Sequence, residues 1–427
     1  MKKEILVIGG GFAGIALAKK LAKNSRFHVT VVDKNNYNFF PPLLYQVATG
    51  FLEVGNISYP FRKMFQRWPN VDFYMGELKQ IVPQEKKVIL STGELLYDEL
   101  IIATGTESNY FGNENVQKNA IPMKTIGDAL YMRNTLLLAI EKSMRIADPI
   151  EKQKWQTLVI AGGGPTGVEV AGMLAEMRKN ILEKEYSGLK QEDVRIYLVD
   201  GSPTLLGPMS SHSQKYSKEA LEKMGVVVKL GRLVKDYDQD VVLFSDGETI
   251  ETKLLFWTAG VTSKVFDGIP AEAYGRGRRL MVDAFNQVIG SPHIYAIGDT
   301  SIMCGDPEWP DGDPQVPQPA LQQGRNLARN LDAFYSGKEM KPFSYVDRGS
   351  MAIIGRSKAV ADIPSPKMHI KGFVAWIMWL FVHLFSLIHY RNRITTMYNW
   401  TVSYFTKDQA LRLIIRTPEN EKPEGLK

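Results

Sequence analysis

The sequence predicts an α/β chain in which two strand–helix–strand units, each opened by a glycine triad, are followed by a separate helical C-terminal region. Three observations predict it. A Gly-x-Gly-x-x-Gly run stands between an apolar strand and an amphipathic helix at the N-terminus, and a second stands in the same setting near residue 162. After about residue 344 the composition turns apolar, aromatic and basic.

The elements follow in order. Ile5 to Ile8 is a short apolar run, Ile15 to Leu21 repeats at helical spacing, and Val29 to Val32 ends on Asp33, which reads strand, helix, strand. The same order recurs with the strand Leu158 to Ala161, a helix from about Pro165 through Arg178, and the strand Ile196 to Val199 ending on Asp200. Lys179 to Asp193 between them is polar, and is expected to be a helical extension plus a surface loop. Three further apolar strands end in small residues, at Ala103-Thr104-Gly105, at Ala259-Gly260 and at Gly298-Asp299. Residues 303–319 hold five prolines and predict a loop.

Each fingerprint has a physical reading. In the first, Gly9 permits the tight turn out of the strand, Gly11 lets the backbone approach a pyrophosphate, and Gly14 lets helix and strand pack closely. The free N–H groups and partial positive charge of the helix N-terminus then face the phosphates. Asp33, nineteen residues beyond Gly14, is placed to accept ribose hydroxyls. The second fingerprint repeats this with Gly162, Gly164, Gly167 and Asp200, with Glu169 just inside the helix. An acid at Asp200 repels a 2′-phosphate, so NADH is expected over NADPH. Two such Rossmann-like units predict two dinucleotides, FAD on the first and the nicotinamide on the second. The turns at 103–105, at 259–260 and at 298–299 are placed to pass close to them, with Asp299 near the flavin ribityl chain.

Composition narrows the chemistry. The chain has 427 residues, 44% hydrophobic and 23% charged, which suits a folded protein of two or three domains. Its one cysteine, Cys304, excludes an intrachain disulfide, a redox dithiol, a thiolate zinc site and an iron–sulfur cluster. No metal site is expected, and electron chemistry falls to an organic cofactor. The apolar run after Met1-Lys2-Lys3-Glu4 is too short for a secretory signal. The net charge is +6, and residues 341–427 hold 13 Lys/Arg against 6 Asp/Glu, which leaves the preceding 340 residues at −1. A basic, apolar C-terminal region favours a membrane surface over nucleic acid.

The whole chain, in collinear order, resembles the type II NADH dehydrogenases, a group of two-dinucleotide-binding-domain flavoproteins. The resemblance lies in Pro42-Leu43-Leu44-Tyr45-Gln46-Val47-Ala48-Thr49-Gly50, in Gln318-Pro319-Ala320-Leu321-Gln322 with Pro317 where the family motif has alanine, and in Trp379 to His383, Arg391-Asn392-Arg393, Trp400 and Tyr404. It implies that Thr49 lies near the flavin, that Gln318 and Gln322 bind quinone, and that Glu169, Gln318 and Lys371 take part in catalysis. It implies hydride transfer from NADH to FAD and then electron transfer to a membrane quinone, without ion pumping. A soluble NAD(P)H-dependent reductase of a small redox protein is the alternative. A sulfide:quinone oxidoreductase is disfavoured by the single cysteine.

The expected domains are 1–115 and 286–343 for FAD, 116–285 for NADH, and a membrane-anchoring region at 344–427. Within the last, Gly372 to Tyr390 is nineteen residues, close to the roughly 20 of a spanning helix. His383, Ser386 and Tyr390 tint one stripe polar, and Trp376, Trp379 and Trp400 suit a membrane–water interface. The expectation is a helix pair lying in one leaflet, on the cytoplasmic face of the cell membrane, with a homodimer as a possible assembly.

Overall fold

The computed structural model describes residues 2–186, 188–303, 305–306, 308–406 and 412–414. Cys304 and the polar tail Thr417 to Lys427 lie outside the described residues. The chain divides into two compact units, 1–39 with 58–107 and 261–348, and 40–57 with 108–260 and 349–427.

In the first unit the strand Lys3–Ile8 is central. It pairs in parallel with Phe27–Asp33 on one side and Glu99–Ile102 on the other, and Val71–Met75 and Ile294–Ala296 complete a five-stranded sheet. A parallel strand covered on both faces needs a continuous apolar run rather than alternation, and Ile5 to Ile8 supplies one. The helix Phe12–Leu21 lies so close to the helix Pro317–Phe334 that a Cβ at Gly324 would collide with the Ala13 carbonyl. The expected loop ends at Val316, the N-cap of that second helix, rather than at Pro319. Pro317 and Pro319 sit in the first helical turn, where a missing N–H leaves no intrahelical bond unmade.

The second unit repeats the pattern. Thr157–Ala161 pairs in parallel with Arg195–Asp200 and Leu254–Trp257, with Val226–Leu230 and Ile121–Pro122 at the edges. The second fingerprint's helix runs Pro165–Met177 and continues as a π-turn, Arg178–Leu182, and a short helix, Glu183–Glu185. The C-terminal region is not helical alone. It opens with a three-stranded antiparallel sheet, Ser350–Gly355, Lys358–Ile363 and Met368–Gly372, before the helices Phe373–Ser386 and Tyr390–Thr406. The Pro165–Met177 helix packs on the first of these strands, where a Cβ at Gly172 would meet the Ile354 carbonyl.

Residues 40–57, 108–115, 261–285 and 344–348 group differently from the sequence boundaries, and two of these segments show why. Residues 261–285 join the first unit because Phe266, Ile269, Ala273, Leu280 and Val282 bury in its core with Leu100 and Ile102. Residues 40–57 join the second because the helix Leu44–Ala48 packs on Ile126–Ser143, and the Asn392 amide donates to the Gly55 and Asn56 carbonyls at 3.1 and 2.8 Å.

Candidate functional site

The first fingerprint builds its cradle from the backbone. Gly9 has φ +106°, and a Cβ there would strike the Ala103 carbonyl, so the turn passes directly against the 103–105 turn. Gly14 packs on the Gly9 carbonyl in the same way. At Gly11, the N-cap of the helix, a Cβ would meet nothing within 4 Å, and no side chain caps the helix. That open, uncapped N-terminus is the space and the donor set an anionic pyrophosphate needs. The Asp33 carboxylate accepts the Gly10 N–H and the Asn35 N–H, each at 2.8 Å, and the Asn38 amide donates to the Gly10 carbonyl at 2.8 Å. Burial raises the Asp33 pKa, opposed by the Asn35 and Gly10 N–H groups.

The same unit gathers the other small-residue turns here. The Thr104 hydroxyl lies 3.4 Å from that of Thr300, joining the 103–105 turn to Gly298-Asp299. Gly298 stands beside Ala13 and Ala320, and its N–H donates to the buried Gln323 side chain at 2.6 Å. Gln323 also donates to Asp313 at 2.8 Å. Sequence reasoning missed Gln323, which neighbours Gln322 but faces the other way around the helix. Gln318 and Gln322 share one face as the spacing required, and they hold the following chain. The Arg348 N–H donates to Gln318 at 3.1 Å, and Gln322 exchanges bonds of 2.9 and 3.1 Å with the Val346 backbone.

The second fingerprint is a near copy. Gly162 has φ +116° against the Thr258 backbone, Gly167 packs on the Gly162 carbonyl, and Gly164 leaves an uncapped helix N-terminus with open space. Asp200 accepts the Gly163 N–H and, at 2.6 Å, the Ser202 N–H. Ala259-Gly260 follows the neighbouring strand, with Gly260 at φ +77° facing the Phe111 ring. One arginine does reach this corner. The Arg232 N–H donates to the Asp200 carbonyl at 3.0 Å, while its guanidinium pairs with Asp246 at 2.9 Å and with Glu248. That positive charge is already taken by two carboxylates.

Further along the same helix, Glu169 is buried. Burial drives its pKa well above the ordinary 4.5, partly offset by the Ile353 N–H. Tyr45 is equally buried, and burial followed by the Glu169 charge raises its pKa well above 10. Thr49 uses its hydroxyl to donate to the Tyr45 carbonyl at 2.8 Å, ending the Leu44–Ala48 helix. Lys371 is exposed on its strand with its ammonium 5.5 Å from the Tyr216 ring, and it is not among the groups acting on Glu169.

Sequence reasoning placed Trp379 at an interface, but the structure buries it completely. His383 stacks on it with centroids 3.9 Å apart and donates from Nδ1 to the Trp379 carbonyl at 2.8 Å. The polar stripe through Ser386 and Tyr390 is broken because the helix stops at Ser386. Trp400 donates its indole N–H to Gln46 at 2.7 Å, a contact the sequence did not reveal. Phe373, Val374, Ile377, Phe381 and Phe385 form an exposed apolar face on the first C-terminal helix, continued by Ile394, Met397 and Phe405 on the second. Between these helices and the Pro165–Met177 helix lies a cavity of about 490 Å³, lined mostly by apolar groups and including Gln46, Met173, Ile353, Trp376 and Trp400. Among the described residues no helix is long and apolar enough to cross a membrane, and no cluster of His, Cys, Asp and Glu could hold a metal ion.

Residues 3–324 match the pyridine nucleotide-disulphide oxidoreductase family, and residues 348–407 match the NDH2 C-terminal domain. Two type II NADH:quinone oxidoreductases of Mycobacterium tuberculosis are 33% and 34% identical to this chain, over 95% and 94% of it and over 89% and 87% of their own lengths. The chain belongs to the type II NADH:quinone oxidoreductases. The fold agrees: a structure of NDH2 from Plasmodium falciparum in complex with NADH superposes with a TM-score of 0.88, at 22% identity, over 97% of this chain and all of that one. As a member of this family the chain is a non-proton-pumping flavoenzyme that uses FAD and NADH and reduces a quinone. The soluble-reductase alternative is set aside, since the C-terminal match is to the NDH2 domain.

Proposed function

We propose a division of labour among the residues that serve this activity. Bound FAD supplies the redox chemistry, a hydride taken from NADH and two electrons returned to a quinone. The first unit holds most of it. Gly9, Gly11 and Gly14 admit the pyrophosphate to the helix N-terminus, Asp33 takes the ribose, and Thr49, Ala103 to Gly105, Gly298 and Asp299 contact the rest. Gly162, Gly164, Gly167, Asp200, Ala259 and Gly260 bind NADH in the same manner, and the Asp200 charge, with Arg232 already paired, rejects a 2′-phosphate. Glu169 stores a proton beside the reaction. Gln318 and Gln322 bind the quinone head, and Lys371, at the foot of the first C-terminal helix, brings protons in from water.

The single observation that supports a membrane site for the acceptor is the exposed apolar face of the Phe373–Ser386 and Tyr390–Thr406 helices, backed by the apolar cavity beneath them. A face of this size rimmed by Arg391 and Arg393 suits one leaflet of an anionic bilayer. A lipid-soluble quinone then enters from the bilayer while NADH arrives from water, on the cytoplasmic face of the cell membrane, with the enzyme paired as a homodimer. Co-sedimentation with vesicles tests the anchoring. Binding to anionic vesicles is expected, and protein remaining wholly in the supernatant at low salt would overturn it.

A further inference from the structure

Gln46 sits at the wall of the apolar cavity and is itself buried, and both ends of its side chain are committed. An indole N–H can only donate, so the Trp400 bond of 2.7 Å fixes the Gln46 oxygen toward Trp400. The amide nitrogen therefore faces the other way and donates to the Tyr45 hydroxyl oxygen at 2.9 Å. That bond fills an acceptor position on Tyr45 and leaves the phenolic hydrogen to point elsewhere. Tyr45 is buried, and among the described residues its hydrogen finds no acceptor. Buried donors rarely go unmatched, which marks this one as waiting for a partner that arrives with the substrate.

We propose that Gln46 is a positioning residue for the acceptor half of the reaction: held by Trp400 of the second C-terminal helix, it turns the Tyr45 hydroxyl into a hydrogen-bond donor toward the quinone carbonyl. The inference rests on the reading of the membrane-facing cavity as the route of the quinone. The proton balance is simple. Quinone reduction to quinol takes two electrons and two protons, and NADH delivers both electrons and one of the hydrogens as hydride. The remaining proton comes from solvent. As the electrons arrive, the Tyr45 O–H bond breaks and one quinol O–H bond forms, the hydrogen that came from NADH makes the other, and Tyr45 takes its proton back from water. Because Trp400 belongs to a helix with an exposed apolar face, the same contact ties the seating of that helix to the aim of the donor.

The test uses the full-length, FAD-loaded protein under anaerobic stopped flow, with NADH first and a short-chain quinone second. Gln46→Glu keeps the size and still accepts from Trp400, but its carboxylate draws the Tyr45 hydrogen onto itself. Flavin reoxidation by quinone is expected to slow about tenfold or more in Gln46→Glu and in Tyr45→Phe, with flavin reduction by NADH retained. In Gln46→Glu the lost rate recovers as pH falls, because a protonated Glu can donate again, and in Tyr45→Phe it does not. Trp400→Phe, which keeps an aromatic ring but loses the donor, is expected to fall between these and the wild type. Wild-type reoxidation in Gln46→Glu, or a parallel fall of both half-reactions with no recovery at low pH, would overturn the inference. A wild-type enzyme that quinone fails to reoxidise would instead remove the underlying reading of the acceptor.

Discussion

At Asp33 and Asp200 a carboxylate knots the strand–helix turn by accepting the Gly10 and Gly163 N–H groups, so each acid shapes the backbone in addition to the ribose contact proposed for it. Asp200→Ala removes both functions in the second unit. Its KM for NADH is expected to rise by about tenfold, and its preference for NADH over NADPH to shrink, in steady-state assays with each nucleotide. At Glu169 the raised pKa sets a sign. A neutral buried acid stabilises the fold fully below about 4.5, and that contribution is lost as pH rises through its folded pKa. Glu169→Gln cannot ionise, so its melting temperature should gain on the wild type as pH rises, while quinone turnover falls about 100-fold. The glycine triads and their acids were legible in the sequence because the constraint is local, a turn and a helix N-terminus within a few residues. Gln46 was not, because its partner Trp400 lies 354 positions away and an apolar segment does not advertise which polar group it will meet.

Among elements, the paired C-terminal helices show what periodicity can and cannot tell. The exposed apolar face was legible as an apolar, tryptophan-rich stretch with basic flanks. The complete burial of Trp379 under His383 was not, since an interfacial and a core tryptophan share the same spacing. The three-stranded sheet before these helices was also missed, because its strands are only five or six residues long and its alternation is weak. Replacing Phe381 and Phe385 with glutamate should abolish vesicle co-sedimentation and leave NADH-driven reduction of a water-soluble acceptor intact. His383 adds a pH dependence. Burial pushes its imidazole down to about 4 from 6.5, so the unfolded chain takes up a proton first as pH drops. Stability should therefore fall between about pH 6.5 and 4, by roughly 3 kcal/mol at most, and His383→Phe should flatten that limb in thermal melts.

At the scale of the whole molecule, two units each carry an open helix N-terminus, and the excess positive charge is concentrated in the C-terminal region that carries the apolar face. The body is near neutral, so attraction to an anionic surface is confined to that region and should weaken as salt is raised. This arrangement was legible in outline from composition and order. The grouping of 261–285 with the first unit was not, because it depends on which core receives Phe266 and Leu280. The central claim is that one chain carries out two coupled half-reactions on a single flavin. The most direct measurement follows flavin absorbance anaerobically in the full-length, FAD-loaded protein, adding NADH and then a short-chain quinone. Rapid bleaching by NADH, a slower response to NADPH and full recovery with quinone are predicted, whereas bleaching that quinone does not reverse would contradict the account.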